Sequence, residues 1–220
     1  MTSSLAAAIV LAAGLGTRFG RAKQFEMVAG SRLVDRSVRF ATEATGRPPV
    51  VALPAGVTWD GPEVAAAVTG GDARPESVRA ALAAVDPDAQ IVVVHDIAFP
   101  LASVATVRAG IAAIEAGADC AVPTWSLPDT IKRVRPDGTL GHIGREGYLI
   151  AQGPMSFRAS MLRALYAEPG NAPLEDSIGI EQLGGRVVPV EGDRWSPHIV
   201  QPRDLDLVGR ILDTGGLPPL

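Results

Sequence analysis

Hydrophobic and polar positions along this chain follow two rhythms. Short, almost unbroken apolar runs at Ala8–Ala12, Val50–Leu53, Ile91–His95, Ala118–Pro123 and Arg186–Val190 predict strands. Strands without polar alternation belong to a sheet covered on both faces, as in parallel α/β architectures. Between them, apolar positions recur at helical spacing. The clearest such segment is Pro75–Val85, with proline near its first turn and Val78, Ala81, Leu82 and Val85 on one stripe. Similar stripes predict helices over Leu33–Ala44, Val104–Glu115, Phe157–Ala167 and Asp204–Leu212. Strand and helix in alternation predict an α/β fold with a mostly parallel, doubly wound sheet. One stretch breaks the rhythm. Thr130–Val134, the turn Pro136-Asp137-Gly138 and Thr139–Ile143 read as a β-hairpin, part of a projecting interface arm spanning about residues 126–150. No repeat or linker divides residues 1–220, which read as a single domain, and Gly215–Leu220 reads as a mobile tail.

Composition narrows the function. An apolar fraction of 47% with 20% charged residues is ordinary for a globular chain. The formal charge of −4 argues against a protein that coats nucleic acid, and the scattered aromatic residues make no stacking platform. The single cysteine, Cys120, excludes an intrachain disulfide and a thiolate zinc site, and its apolar surroundings predict a buried structural thiol. The apolar start lacks a basic leader region and runs into a glycine-rich turn and Arg18, so it does not read as a signal peptide. No run approaches the roughly 20 apolar residues of a membrane span. The expectation is a soluble, cytoplasmic protein without membrane partners.

The chemistry concentrates after the first strand, in Leu11-Ala12-Ala13-Gly14-Leu15-Gly16-Thr17-Arg18-Phe19-Gly20-Arg21-Ala22-Lys23. A turn of small residues lets backbone N–H groups approach phosphate oxygens, and Arg18 and Lys23 add two cations. Transfer at an α-phosphate depends on such positioning and charge neutralisation. The dinucleotide fingerprint fails, because the sixth position counted from Gly14 is Phe19, and no register supplies a P-loop. A tight turn with solvated cations is the alternative reading.

This segment resembles the signature loop of GT-A-like nucleotidyltransferases, and most of the chain, from Ile9 to about Leu207, resembles the methylerythritol-phosphate cytidylyltransferase family of the non-mevalonate isoprenoid pathway. The likeness is carried by Gly70-Gly71-Asp72-Ala73-Arg74-Pro75-Glu76-Ser77-Val78, by Val94-His95-Asp96-Ile97-Ala98-Phe99-Pro100, by Asp129–Val134, and by Gly144-Arg145-Glu146-Gly147 with Ala151-Gln152. The resemblance implies transfer of CMP from CTP to a phosphorylated polyol, namely 2-C-methyl-D-erythritol 4-phosphate. It implies catalytic roles for Arg18 and Lys23. It implies nucleotide contacts from Leu11, Ala12, Ala13, Gly14, Gly16, Gly70, Gly71, Arg74 and Ser77. Asp96, Thr130, Arg145 and His198 would meet the acceptor, Asp96 also meeting Mg²⁺, with Thr130 and Arg145 reaching across a homodimer.

Departures from the family gather on the acceptor side. Phe99 stands for an Arg, His198 for a Lys, Leu174-Glu175-Asp176 for a Thr-Asp-Glu segment and Gly153-Pro154-Met155 for Thr-Pro-Gln. The short spacing from Arg18 to Lys23 resembles molybdenum-cofactor guanylyltransferases. These differences keep open a transferase for another polyol, sugar or phosphonate, and a non-catalytic nucleotide-binding relative. Several residues also carry plainer readings. His95 reads as a core residue, Asp96 as a cap of the following turn, and His142 and His198 as loop histidines. Asp204 and Asp206 read as helix N-terminal acids, and so do Glu175 and Asp176.

Overall fold

The computed structural model describes residues 5–17, 19–167 and 175–214. In chain order the elements are β1 (Ala6–Leu11), a small hairpin of β2 (Met27–Val28) and β3 (Ser31–Arg32), α1 (Leu33–Thr45), β4 (Val50–Leu53), β5 (Ala66–Thr69), α2 (Arg74–Ala83) and β6 (Ile91–Asp96). There follow α3 (Val104–Glu115), β7 (Cys120–Ser126), β8 (Ile131–Val134), β9 (Leu140–Ile143), β10 (Leu149–Ala151), β11 (Met155–Arg158), α4 (Ala159–Leu165), α5 (Asp176–Gln182), β12 (Val187–Glu191) and α6 (Pro202–Asp213).

Eight strands form one sheet in the order β5-β4-β1-β6-β11-β7, with β10 also paired to β7 and β12 on β7's other side. The pairs β5–β4, β4–β1, β1–β6 and β7–β12 are parallel, while β11 runs against both β6 and β7. The mostly parallel α/β sheet expected from the apolar runs is therefore present. Both faces are covered. Ile9, Leu11, Ala52, Val94 and Phe157 pack against Val78, Ala81 and Leu82 of α2 and Leu162 of α4. On the other face Ala8, Val10, Val51 and Val93 meet Val34 and Val38 of α1 and Val107 of α3.

Local signals set the helix ends. Ser103 caps α3 by accepting the Thr106 N–H at 3.1 Å, and Gly46 closes α1 in the left-handed conformation at φ 73°. Asp204 accepts the N–H groups of Val200 and Gln201 at 2.9 and 2.7 Å, so it caps α6 as its plainer reading held. The hairpin also forms as expected. Ile131 faces Ile143, Gly138 takes φ 80°, and the Asp137 carboxylate holds the Thr139 N–H and hydroxyl at 2.9 and 2.7 Å.

The helix expected over Phe157–Ala167 is wrong at its start. Met155–Arg158 is instead strand β11, inserted between β6 and β7 with Met155 beside Val94, and helix begins only at Ala159. Ser156 and Phe157 are both buried because the sheet is covered on both faces, so the strand shows no alternation to mark it. Strand β5 also escapes the apolar rule, being an Ala-rich edge strand with every second residue exposed. Cys120 is buried, and burial pushes its thiol up, as a structural thiol requires. Among the described residues no helix is long and apolar enough to cross a membrane.

His95 is a core residue. It is 1% exposed, its ring lies 4.9 Å from that of Phe40, and neither ring nitrogen has a hydrogen-bond partner. Burial pushes its pKa down to about 4, against a small opposing pull from Asp96. The unfolded chain gains this proton below about pH 6.5 while the folded chain stays neutral to about pH 4. Stability present above pH 6.5 is therefore lost as pH falls, by about 2 kcal/mol at pH 5 from this group. Urea unfolding at pH 7 and pH 5 should show that difference shrinking by that amount in His95→Leu. An unchanged difference would mean that His95 is already charged when folded.

Candidate active site

Strand order reverses at β1, whose neighbours are β4 on one side and β6 on the other, and open α/β sheets bind ligands at the carboxyl ends beside such a point. A cleft of about 260 Å³ lies there. Its walls include Leu11, Ala13, Gly14 and Gly16 from the end of β1 and its loop, Lys23, Gly71, Arg74 and Ser77 from the start of α2, and Asp96 from the end of β6. Most of the candidates separated in sequence thus converge. Ala12 and Gly70 lie behind the wall. Ala12 is buried with its N–H donating to Ala52 O at 2.9 Å, and a Cβ on Gly70 would sit 2.3 Å from that of Ala13. Gly70 thus lets the two loops touch. Arg18 and Leu174 lie outside the described residues.

The loop after β1 is held by its own backbone. Gly16 O accepts the N–H groups of Phe19 and Gly20 at 2.9 and 2.7 Å, and Gly16 has φ 66°. A Cβ there would meet Arg21 O at 1.8 Å, so the position requires glycine on both conformation and space. Beyond it, Arg21 grips Glu26 through two bonds of 2.6 and 2.8 Å, and the pairing raises Arg21 and lowers Glu26 in pKa. A turn of 3₁₀ helix follows at Lys23–Phe25 and delivers Lys23 to the cleft, where its Nζ donates to Ile199 O at 3.2 Å. Ile199 N–H in turn donates to Ala98 O at 2.8 Å, so the segment before α6 is laced to the loop after β6.

At the opposite wall α2 presents its N-terminus, where unpaired N–H groups and the helix dipole favour an anion. Ser77 Oγ accepts the Gly71 N–H at 3.2 Å, and Glu76 accepts the Ala73 N–H at 3.1 Å. Arg74, in the first turn, forms an ion pair of 2.7 Å with Asp176 Oδ2. Burial is the largest single influence and lowers the Arg74 pKa, but the charge and hydrogen bond of Asp176, with Asp96 and Tyr166, together raise it overall. Asp176 is buried and also accepts the Tyr166 hydroxyl, whose pKa is pushed up first by burial and then by Asp176. Glu175 caps α5 as expected, accepting the Ser177 N–H at 3.4 Å and the Ser177 hydroxyl at 2.9 Å. Asp176 corrects its plainer reading: it braces Arg74. Its place beside a helix start hid this, because only the docking of α5 brings it to α2.

Asp96 ends β6, and its Oδ1 accepts the Ala98 N–H at 2.9 Å, so it also caps the turn. It is the carboxylate in the cleft wall nearest the strand end; Asp72 lines the wall beside α2. Among the described residues no group of three His, Cys, Asp or Glu could hold a metal by itself. Thr130 and Arg145 stand exposed on the arm, outside this cleft, with Arg145 donating to Pro128 O. His198 is exposed and stacks on Phe99, the ring centroids 4.9 Å apart and the planes 13° from parallel. The sequence had singled out neither Gln24, which is fully buried at the cleft, nor the wall residues Thr17, Phe19, Ile97 and Val200. Gln24 follows Lys23 directly, which was the only signal for it.

Gly16→Ala should break the loop's two bonds to Gly16 O. Amide hydrogen exchange at Phe19 and Gly20 is then expected to quicken by about tenfold or more, because local opening becomes easier. Unchanged exchange would show that the backbone absorbs the added methyl.

Comparison with known proteins agrees with this arrangement. The family IspD, described as 2-C-methyl-D-erythritol 4-phosphate cytidylyltransferase, matches residues 6–214. The enzyme of that name from Frankia casuarinae is 34% identical, over 96% of this chain and 83% of its own. The one from Saccharopolyspora erythraea is 35% identical, over 93% of this chain and 98% of its own. Among solved structures, the enzyme of that name from Thermus thermophilus superposes with a TM-score of 0.79 at 28% identity, covering 94% of this chain and 98% of its own. With its glycine loop, Lys23 and the start of α2 gathered at one sheet end, this chain belongs to the IspD cytidylyltransferase family.

Proposed function

We propose that the chain transfers CMP from CTP to the phosphate of 2-C-methyl-D-erythritol 4-phosphate. The observation that carries this reading is the convergence of Gly14, Gly16, Lys23, Arg74, Ser77 and Asp96 in one cleft of a family member. The loop after β1 and the N-terminus of α2 face each other across a space suited to a triphosphate. An acceptor phosphate oxygen attacks the α-phosphorus, the bond from that phosphorus to the bridging oxygen breaks, and pyrophosphate leaves with the electron pair. Lys23, together with Arg18, neutralises charge that grows on the α-phosphate oxygens. The Ile199 carbonyl holds the Lys23 ammonium at 3.2 Å, aiming it without cancelling its charge. Arg74, braced by Asp176, fixes the nucleotide end.

Mg²⁺ fits this donor set, since it binds through one or two carboxylates plus substrate phosphates rather than a protein cage. Asp96 would hold it, and the ion would offset phosphate charge. The reading includes a cytoplasmic location, where CTP is found, and a homodimer formed through the arm. Val134, Leu140, Tyr148 and Leu149 are 69%, 62%, 57% and 52% exposed there, an apolar surface that favours a partner. Thr130 and Arg145 then reach the acceptor in the neighbouring site.

One observation favours a second reading. Phe99 and His198, which stand where the resemblance implies an Arg and a Lys, are stacked on each other. Loss of two charge-assisted hydrogen bonds, each worth roughly 1.5–3 kcal/mol, supports a phosphorylated acceptor of different shape. Pyrophosphate release with CTP, Mg²⁺ and a panel of phosphorylated polyols, sugars and phosphonates separates the readings. Release with methylerythritol phosphate is expected; release with another acceptor alone would favour the second reading, and silence with CTP bound would favour a non-catalytic relative.

Lys23→Ala is expected to lower kcat by about 10²–10³-fold while weakening CTP binding much less. Equal losses in both would remove Lys23 from the transition state. Heterodimers of Arg145→Ala with Lys23→Ala protein should regain part of the activity, since one of their two composite sites is intact. Verified heterodimers without activity would rule out the shared site.

A further inference from the structure

A second cavity, of about 340 Å³, lies on the other face of the sheet between α1 and the start of α3. It is lined by Ser31, Arg36, Arg39, Phe40 and Glu43 with Pro100, Ala102 and Val104, and shares no wall residue with the cleft. Arg36 and Arg39 are one turn apart on α1, and so neighbours on its surface. Among the described residues neither forms an ion pair. Asp35, next to Arg36 in the chain, is already held by Arg32 through bonds of 2.8 and 2.9 Å. Glu43 lines the cavity but lies beyond ion-pair distance of both arginines.

Arg36 Nε is sealed from solvent with no hydrogen-bond partner, a costly arrangement for a cation. Burial first, and then the charge of Arg39, lowers the Arg36 pKa. Arg39 is held in place by its bond of 2.8 Å to Ser31 Oγ. Arg36 closes the first turn of α1, where the helix dipole adds positive potential; Arg39 lies in the second turn. Phe40 of the same helix, with Pro100 and Val104 from the segment leading into α3, supplies the cavity's apolar lining. A tetrahedral phosphate presents oxygens to two guanidinium groups at once, and a small apolar body fills the remaining volume.

We propose that this cavity is a second, non-catalytic binding site for a small organic phosphate whose apolar part rests on Phe40, Pro100 and Val104. The cavity lies close to the cleft at two points. Pro100 and Ala102 lie on the same loop as Asp96, a few residues on, and Phe40 packs on His95 at 4.9 Å, immediately before Asp96.

Phenyl phosphate is the probe, titrated calorimetrically against the full chain and against Lys23→Ala, which impairs the cleft, and Arg36→Gln/Arg39→Gln, which leaves it alone. Saturable binding should persist in Lys23→Ala. In the arginine double variant it should weaken about tenfold or more, the loss of charge-assisted bonds, with basal pyrophosphate release and the thermal midpoint retained. Phe40 ring signals should shift on binding. Benzoate should bind distinctly more weakly, having one charge and a planar head. Equal binding to the arginine variant, loss of all binding in Lys23→Ala, or no saturable binding at millimolar probe would overturn the proposal. Benzoate binding as tightly as phenyl phosphate would overturn the assignment to phosphate.

Discussion

The parallel register of β1 against β6 is the constraint on which the rest of the molecule depends. It sets Leu11 beside Asp96, so the glycine loop and the strand-end carboxylate leave the sheet at the same level. Because β4 pairs on β1's other side, the chain must cross back over the sheet to reach β6, and a crevice opens where the order reverses. Burial on both faces makes this register stringent. A slip by one residue would turn Ile9 and Leu11 away from α2 and point Ala8 and Val10 at it.

Around that crevice, hydrogen bonds and one buried ion pair turn packing into position. Arg74 would be a mobile side chain on a helix start without Asp176, and Asp176 would be an uncompensated buried charge without Arg74 and the Tyr166 hydroxyl. The brace joins α2 to α4 and α5, its neighbours on the same face of the sheet, so the nucleotide wall is fixed within that layer. On the other wall, the exchange from Lys23 to Ile199 and from Ile199 to Ala98 joins the chain's first loop to its last helix. Gln152 does related work behind it, bonding Asp193 O at 2.7 Å and Ser196 O at 3.2 Å, which pins the segment between β12 and α6.

Two rings and a glycine from distant segments meet beside the loop after β6. The Phe99 ring lies against Gly153, where an added Cβ would come within 3.0 Å of it, and against the His198 imidazole. Three positions far apart in sequence, each a departure in the reading of the resemblance, thus form one contact. A flat ring needs the bare backbone of Gly153 and a flat partner, so these changes support one another as a unit.

What the sequence by itself determined was local. The unbroken apolar runs announced a sheet covered on both faces, Pro75 marked a helix start, Asp137-Gly138 marked the hairpin, and the loop from Gly14 to Lys23 announced phosphate chemistry. Backbone conformation and hydrophobic period depend on near neighbours, which is why these features could be read. Tertiary structure decided what depended on distant chain segments. It made Met155–Arg158 a strand, because a gap between β6 and β7 outweighed helical spacing. It turned Asp176 from a helix-start acid into the brace of Arg74, and it set Phe99 against His198. Pairing energies of this kind exist only after the sheet has formed and its layers have docked, so no stretch of sequence carries them alone.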